Sequence, residues 1–320
     1  MTLHWIVAPG QEGKRAADVL SQGPGVSGTL IKKVRLYGRL TCNGRDWRMI
    51  DPVRAGDELC VQYDAPEELA ADVRLVPTAG IEIIWQDQDL AVVMKPPALT
   101  THRGPFGHES GLTDKLAAAV GGSGGGLHPV GRLDRDTSGL LVLARHPHAH
   151  HRLTDGIREK DYLALVHGSP PADSGLISLP IARLADSLIE RRVAVHGRTA
   201  VTVWRRLAGF TSPQSHGKEL SWLAVRLLTG RTHQIRVHFS AIGCPLVGDS
   251  LYGHRGTAWD ASDAALGRQA LHAARLILRH PRDGQERVFT AALPDDLRPF
   301  ATAEAGEALE AWYQSAVQQD

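Results

Sequence analysis

The period of the hydrophobic positions changes several times along this chain of 320 residues, and each change marks a predicted element. Short apolar runs bounded by turn residues predict buried strands at Leu90–Met94, Leu140–Ala144 and Leu220–Leu228. A spacing of three to four residues predicts an amphipathic helix at about Ala303–Val317. Strands, loops and helices alternate after residue 80, which by pattern alone indicates a mixed α/β domain.

The first 75 residues predict a smaller module. Its predicted helices and strands lie at Gly13–Ser21, around Leu30–Tyr37, at Leu40–Gly44 and at Glu58–Gln62. Residues 63–78 are interpreted as a linker. We therefore predict three parts: the module with its linker at 1–75, the main domain at 76–300 and a C-terminal helix at 301–320.

Charge is unevenly distributed, although the formal net charge is only +1. Between Gly28 and Arg54 seven residues are basic and only two are acidic. A solvated helix face is the plain interpretation, but the basic residues continue past the helix into the turn at 44–48, which favours a nucleic-acid-binding patch. The predicted RNA-binding residues are Lys32, Lys33, Arg35, Arg39, Arg45 and Arg48.

Other signals argue against metal, disulfide and membrane chemistry. The three cysteines, Cys42, Cys60 and Cys244, lack paired ligand spacing. No signal core or membrane-length apolar window is present, so a cytoplasmic protein is predicted. A histidine tract suggests metal binding, but no carboxylate or cysteine partner is evident, and a solvated helix start is preferred. The tract comprises His146, His148, His150 and His151.

The densest chemistry lies in the segment Gly131–Gly139, with two arginines, two carboxylates and two hydroxyls ahead of a predicted buried strand. Polar loops on rigid strands often carry function. A plain capped turn is one alternative. Paired acid–base work by Asp134 and Asp136, as in a hydrolase, is another. We prefer Asp136 as an acceptor that stabilises the turn.

Two later stretches add candidate groups. Tyr162 lies in the predicted strand within 158–168, where a satisfied core tyrosine is the common role. Arg231 stands near the predicted start of a helix within 228–239. A cation is disfavoured there by the helix dipole, so an anionic partner is expected.

Together the three stretches closely resemble the motifs of the RluA-type pseudouridine synthases. By this resemblance Asp134 falls on the catalytic aspartate, Tyr162 on the active-site tyrosine, and Arg231 on an arginine that pairs with the aspartate. The implied substrate-binding residues are Arg132, Thr137, Leu251 and Tyr252. One position departs from the family pattern, because Gly131 stands where histidine is usual.

The resemblance implies an α+β pseudouridine synthase fold, with a mixed, mostly antiparallel central sheet flanked by helices. The N-terminal module resembles the RNA-binding domain of a ribosomal small-subunit protein. The implied activity is isomerisation of uridines in structured RNA, by base flipping and without cofactor or metal, in a monomer. Large-subunit ribosomal RNA is the expected target. Transfer RNA, and a non-catalytic RNA-binding or ribosome assembly role, are the alternatives.

Overall fold

The computed structural model describes residues 2–23, 26, 31, 34, 39–62, 80–102, 110–120, 126–185, 187, 189–211, 217–253 and 261–317. The chain divides into two compact units, residues 1–75 and 76–320. Of the predicted helix at 30–37, Ile31 and Val34 are described, and both are helical. The predicted linker at 63–78 and the predicted RNA-binding residues Lys32, Lys33 and Arg35 lie outside the described residues.

The described elements have the following bounds. The strands are β1 (Thr2–Ile6), β2 (Arg39–Cys42), β3 (Arg45–Asp46), β4 (Glu58–Gln62), β5 (Glu82–Gln86), β6 (Leu90–Lys95), β7 (His128–Val130), β8 (Ser138–Ala144), β9 (Ile157–His167), β10 (Ser174–Ser178), β11 (Ile181–Arg183), β12 (Arg191–Val193), β13 (Val201–Thr211), β14 (Glu219–Leu227), β15 (Leu271–Arg279) and β16 (Glu286–Thr290). The helices are α1 (Ala16–Gln22), α2 (Leu112–Val120), α3 (Pro147–Gly156), α4 (Gln234–Ala241), α5 (Ala261–Leu266) and α6 (Ala303–Val317). None of them is long and apolar enough to cross a membrane.

The first unit contains an antiparallel sheet in the order β1-β4-β2-β3, with α1 in its core. Asn43 and Gly44 both have positive φ, 52° and 77°, and so form the tight hairpin turn between β2 and β3. The predicted RNA-binding residues Arg39, Arg45 and Arg48 are exposed in this unit. Arg39 and Arg48 form ion pairs with acidic neighbours on the same surface, at 2.6 and 2.7 Å.

The second unit is built on a sheet with ten described strands, whose main path is β10-β13-β14-β9-β15-β8-β6-β5. Among the described pairs only β15 and β8 run parallel. The predicted mixed, mostly antiparallel sheet is therefore confirmed. Leu309 and Trp312 of α6 pack in a buried cluster with Trp222 of β14, so the C-terminal helix covers part of the second unit's sheet.

The parallel pair fixes where the polar segment Gly131–Gly139 enters the sheet. Gly139 pairs with Ala273 of β15, and its φ is +113°. A Cβ at this position would overlap the Ala273 backbone, so only glycine fits. The segment is thus anchored at one end to the two central strands β8 and β15.

Candidate active site

A cavity of about 650 Å³ opens beside this segment, next to the ends of β7, β9 and β14 and the start of α4. It brings together the predicted catalytic and RNA-contacting residues Asp134, Tyr162, Arg231 and Arg132. Asp134, Tyr162 and Arg231 are far apart in sequence, and only the fold places them around one space. A concave site with a few convergent polar groups is the usual form of an active site.

The backbone on both sides of Asp134 is held by buried groups. The Thr101 hydroxyl donates to the Leu133 carbonyl at 3.0 Å, and the Leu133 N–H donates back to it at 3.3 Å. The fully buried Lys95 ammonium donates to three carbonyls, one of them that of Arg135, at 2.9 Å. The loop therefore presents Asp134 from a rigid frame, as a catalytic group requires.

Asp134 is anchored through Arg236 of α4. The Arg236 Nη1 donates to Asp134 Oδ2 at 3.3 Å, while Nε and Nη2 form a two-pronged contact with Asp249 at 2.7 and 2.8 Å. Burial alone would lower the pKa of Arg236, but the hydrogen bonds to Asp249 and the charges of Asp249 and Asp134 raise it above its usual value. Asp249 thus fixes the guanidinium that fixes Asp134.

This corrects the expected ion pair between Arg231 and Asp134. Arg231 lines the cavity, but its Nε donates to the Thr199 carbonyl at 2.9 Å. Arg236 lies five residues further on, within α4 and inside the same motif, and is 4% exposed. The expected pairing with Asp134 rested on the resemblance, and the position near the helix start indicated only an anionic partner. In the structure, the face of α4 that meets the loop decides which arginine binds Asp134.

Tyr162 lies on the cavity wall with only 5% of its surface exposed. Burial, with smaller contributions from the charges of Asp134 and Asp161, raises the pKa of its phenol. The hydroxyl is therefore protonated at neutral pH, and the ring offers a face against which a flat base can stack. Tyr162 serves both as a core aromatic and as a wall of the site.

His233 is a second group near Asp134 that the sequence did not single out. Its Nε2 lies 3.9 Å from Asp134 Oδ1, and its Nδ1 lies 2.8 Å from the Tyr252 hydroxyl. The residue is left-handed, with φ of +57°, a conformation that is uncommon for non-glycine residues. Gln234 caps the same turn by accepting from the Arg231 N–H at 3.0 Å.

The four predicted substrate-binding residues lie at different places relative to the cavity. Leu251 and Tyr252 are not among the described residues that line the cavity. Tyr252 instead packs behind it, 5.0 Å below the Arg236 guanidinium and in contact with His233. Thr137 reaches the cavity wall but is 1% exposed, and its hydroxyl accepts from Gln269 at 3.3 Å. The fourth, Arg132, is exposed at the cavity, and no ion pair joins it to another described residue.

Asp136 and His146 are tied into the fold, and His146 has a carboxylate partner that the sequence did not reveal, whereas His148 and His151 are exposed. The Asp136 carbonyl accepts from Arg268 at 3.0 Å. His146 accepts from the Ala149 N–H at the start of α3 and contacts Asp89 at 2.9 Å. Asp89, Asp87 and His280 lie close enough to share an ion. The Arg282 guanidinium already binds Asp89 there, at 2.7 and 3.2 Å, which argues against a cation at this point.

Comparison with known proteins gives one consistent result. The family described as RNA pseudouridylate synthase matches residues 89–241. An uncharacterised RNA pseudouridine synthase of Chloroflexus aurantiacus is 40% identical over 308 residues, covering 92% of this chain and 90% of that protein. Ribosomal large subunit pseudouridine synthase D of Yersinia pestis is 34% identical over 308 residues, covering 91% of each.

One solved structure gives the same fold. Human RNA pseudouridylate synthase domain containing 1 superimposes with a TM-score of 0.58 at 23% identity, over 77% of this chain and 98% of that one. At this identity the likeness concerns the fold alone.

Proposed function

The chain belongs to the RNA pseudouridine synthase family, and from that premise we propose that it converts specific uridines of large-subunit ribosomal RNA to pseudouridine. One observation carries the assignment of the site: Asp134 faces a cavity beside Tyr162, with one carboxylate oxygen held by Arg236. The predicted membership of the RluA-type family is confirmed.

The reaction breaks the N1–C1′ bond of uridine, rotates the base and joins C5 to C1′, while C5 loses its proton and N1 gains one. The isomerisation needs no net oxidant or reductant. A carboxylate beside C1′ lowers the barrier, either by bonding to the sugar or by stabilising the positive charge that develops there. Arg236 binds Oδ2, and we propose that Oδ1, which lies 3.9 Å from His233 Nε2, is the oxygen that acts at C1′.

The uridine must leave its stack before its sugar can reach Asp134, which costs a few kcal/mol. A cavity of about 650 Å³ has room for an extruded nucleotide. Arg132, exposed at this cavity, is proposed to hold the RNA or to fill the space that the base vacates. Tyr162 is proposed to stack on the uracil ring.

The ribosomal target is supported by relatives named as ribosomal large subunit pseudouridine synthase D. The exposed arginines of the first unit are proposed to bind RNA phosphates, which would make affinity salt-dependent. We propose that the protein acts as a monomer in the cytoplasm, where ribosomal RNA is transcribed in bacteria. Size-exclusion chromatography with light scattering tests the monomer.

The target is tested by incubating the purified protein with transcripts of large-subunit ribosomal RNA and with a pool of transfer RNA transcripts, followed by pseudouridine mapping. We expect one or a few modified positions in the ribosomal transcript. Modification of transfer RNA alone would contradict the ribosomal target. No product on either RNA, together with tight binding to one, would favour a non-catalytic role.

A further inference from the structure

Behind the cavity, Tyr252 and His233 form a hydrogen-bonded pair that extends toward Asp134 Oδ1. The Tyr252 hydroxyl accepts from the Arg191 backbone N–H at 2.8 Å and lies 2.8 Å from His233 Nδ1. His233 Nε2 in turn faces Asp134 Oδ1 at 3.9 Å. Tyr252 is 5% exposed and the His233 side chain 11%, so water competes little for these groups.

Counting protons along this chain fixes the tautomer of His233. A phenol has one proton to donate, and the Arg191 N–H already occupies one acceptor position of the Tyr252 oxygen. The described partner left for the hydroxyl proton is His233 Nδ1. The imidazole proton then resides on Nε2 and points to Asp134. The opposite tautomer would turn a nitrogen lone pair toward a carboxylate, which is unfavourable.

We propose that Tyr252 and His233 form a positioning pair for Asp134, in which the Tyr252 hydroxyl holds His233 as the Nε2–H tautomer and this N–H orients Oδ1 while Arg236 orients Oδ2. This proposal depends on the proposed function only in the tests that measure turnover. At 3.9 Å the contact is longer than a hydrogen bond, and it shortens when a uridine fills the cavity. Catalytic hydrogen bonds commonly tighten in this way.

Burial, rather than the balance of the surrounding charges, favours the neutral form of His233. Burial lowers its pKa, the charges of Arg236 and Arg191 lower it further, and those of Asp134 and Asp249 oppose them. Burial raises the pKa of Tyr252, so its hydroxyl keeps its proton. The left-handed backbone at His233, with no side-chain cap on α4, leaves both ring nitrogens available to this chain.

The first test is the variant Tyr252→Phe, which keeps the buried ring and removes only the hydroxyl. We expect the rate of pseudouridine formation in a large-subunit ribosomal transcript to fall about tenfold, with KM within about twofold. The matched control is Tyr313→Phe, which removes a hydroxyl that donates to the Ala291 carbonyl at 2.8 Å, on α6. Equal losses in both variants, or none in Tyr252→Phe, would overturn the proposal.

The second test uses conservative rescue at His233. His233→Ala should lose at least as much turnover as Tyr252→Phe, and His233→Gln, which keeps an N–H donor, should recover part of it. A glutamine variant no better than alanine would count against orientation by the N–H.

The third test needs no RNA. Nitrogen NMR of the free protein should show His233 protonated at Nε2, and a mixture of tautomers in Tyr252→Phe, with His233→Gln identifying the signals. Protonation at Nδ1 in the wild type would overturn the proposal. If the wild type forms no product on the transcript, the proposed function fails. The His233 tautomer measured by NMR still tests the positioning pair of Tyr252 and His233.

Discussion

Arginines play opposite parts in the two units of this protein. In the catalytic unit the Arg236 side chain is 5% exposed and is shared between Asp249 and Asp134. In the first unit the side chains of Arg39 and Arg48 are 61% and 76% exposed, and each pairs with one nearby carboxylate. A buried ion pair fixes geometry, because losing one partner strands a charge. An exposed pair can exchange its carboxylate for an RNA phosphate.

The largest effect on the catalytic unit is expected from the variant Asp134→Asn. The amide keeps the size of the side chain but removes the charge that Arg236 anchors. We expect product formation to fall by about 10³-fold or more, with RNA affinity nearly unchanged, because binding uses other groups. Single-turnover kinetics and filter binding measure the two quantities. An Asn variant with near-normal product would remove Asp134 from the chemistry.

Arg236→Lys tests the buried pair directly. Lysine cannot hold Asp249 through two parallel hydrogen bonds and also reach Asp134, so we expect turnover to fall about 10²-fold. Arg231→Lys is the matched control in the same motif, and a loss of less than about threefold is expected because Arg231 contacts a backbone carbonyl. The reverse order of losses would restore Arg231 as the partner of Asp134.

The pH dependence of stability should also reflect burial in the catalytic unit. His272 is fully buried, contacts Ser138 at 2.9 Å, and has its pKa lowered to about 4 by burial. The unfolded chain takes up that proton near pH 6.5. The stabilisation is therefore complete above pH 6.5 and declines as the pH falls toward 4, by about 2 kcal/mol between pH 6.5 and 5.

Urea unfolding of the wild type and of His272→Gln at pH 7, 6 and 5 measures this effect. The wild type should lose stability more steeply than the variant. Parallel curves would show that His272 does not contribute the acid sensitivity.

The smallest effect is expected at the exposed arginines. Arg39→Gln and Arg48→Gln should leave the thermal unfolding midpoint unchanged and each reduce the slope of log affinity for RNA against log salt by about 1. Affinities at several salt concentrations measure the slope. A shifted unfolding midpoint with an unchanged slope would make these pairs structural rather than RNA-binding.

The sequence predicts the strands β6, β8, β9 and β14 of the second unit's main sheet, because their apolar runs are short and sharply bounded, whereas the long strands β13 and β15 were not predicted. The segments Leu90–Met94 and Leu140–Ala144 lie within β6 and β8. The hairpin of β11 and β12 was not predicted, because three-residue strands carry too little periodicity. The helix at Ala303–Val317 was predicted with the bounds that α6 has.

The site was predictable only in part, for a physical reason. Asp134 and Tyr162 lie in motifs whose order and spacing reveal them. The partner of Asp134 depends on which face of α4 the loop meets, and this is a tertiary property. One local feature of the sequence could have indicated the groups around Asp134. His233 and Arg236 are three residues apart, a spacing that places two side chains on the same side of a helix. Gly131 has φ of +82°, a conformation that glycine adopts without strain.

The most direct test of the account is pseudouridine mapping of total RNA from cells with and without this protein. The account predicts that one or a few sites in large-subunit ribosomal RNA disappear with the protein, return with the wild type, and do not return with Asp134→Asn. An unchanged map, or sites restored by Asp134→Asn, would contradict the claim that the anchored carboxylate of Asp134 isomerises uridine.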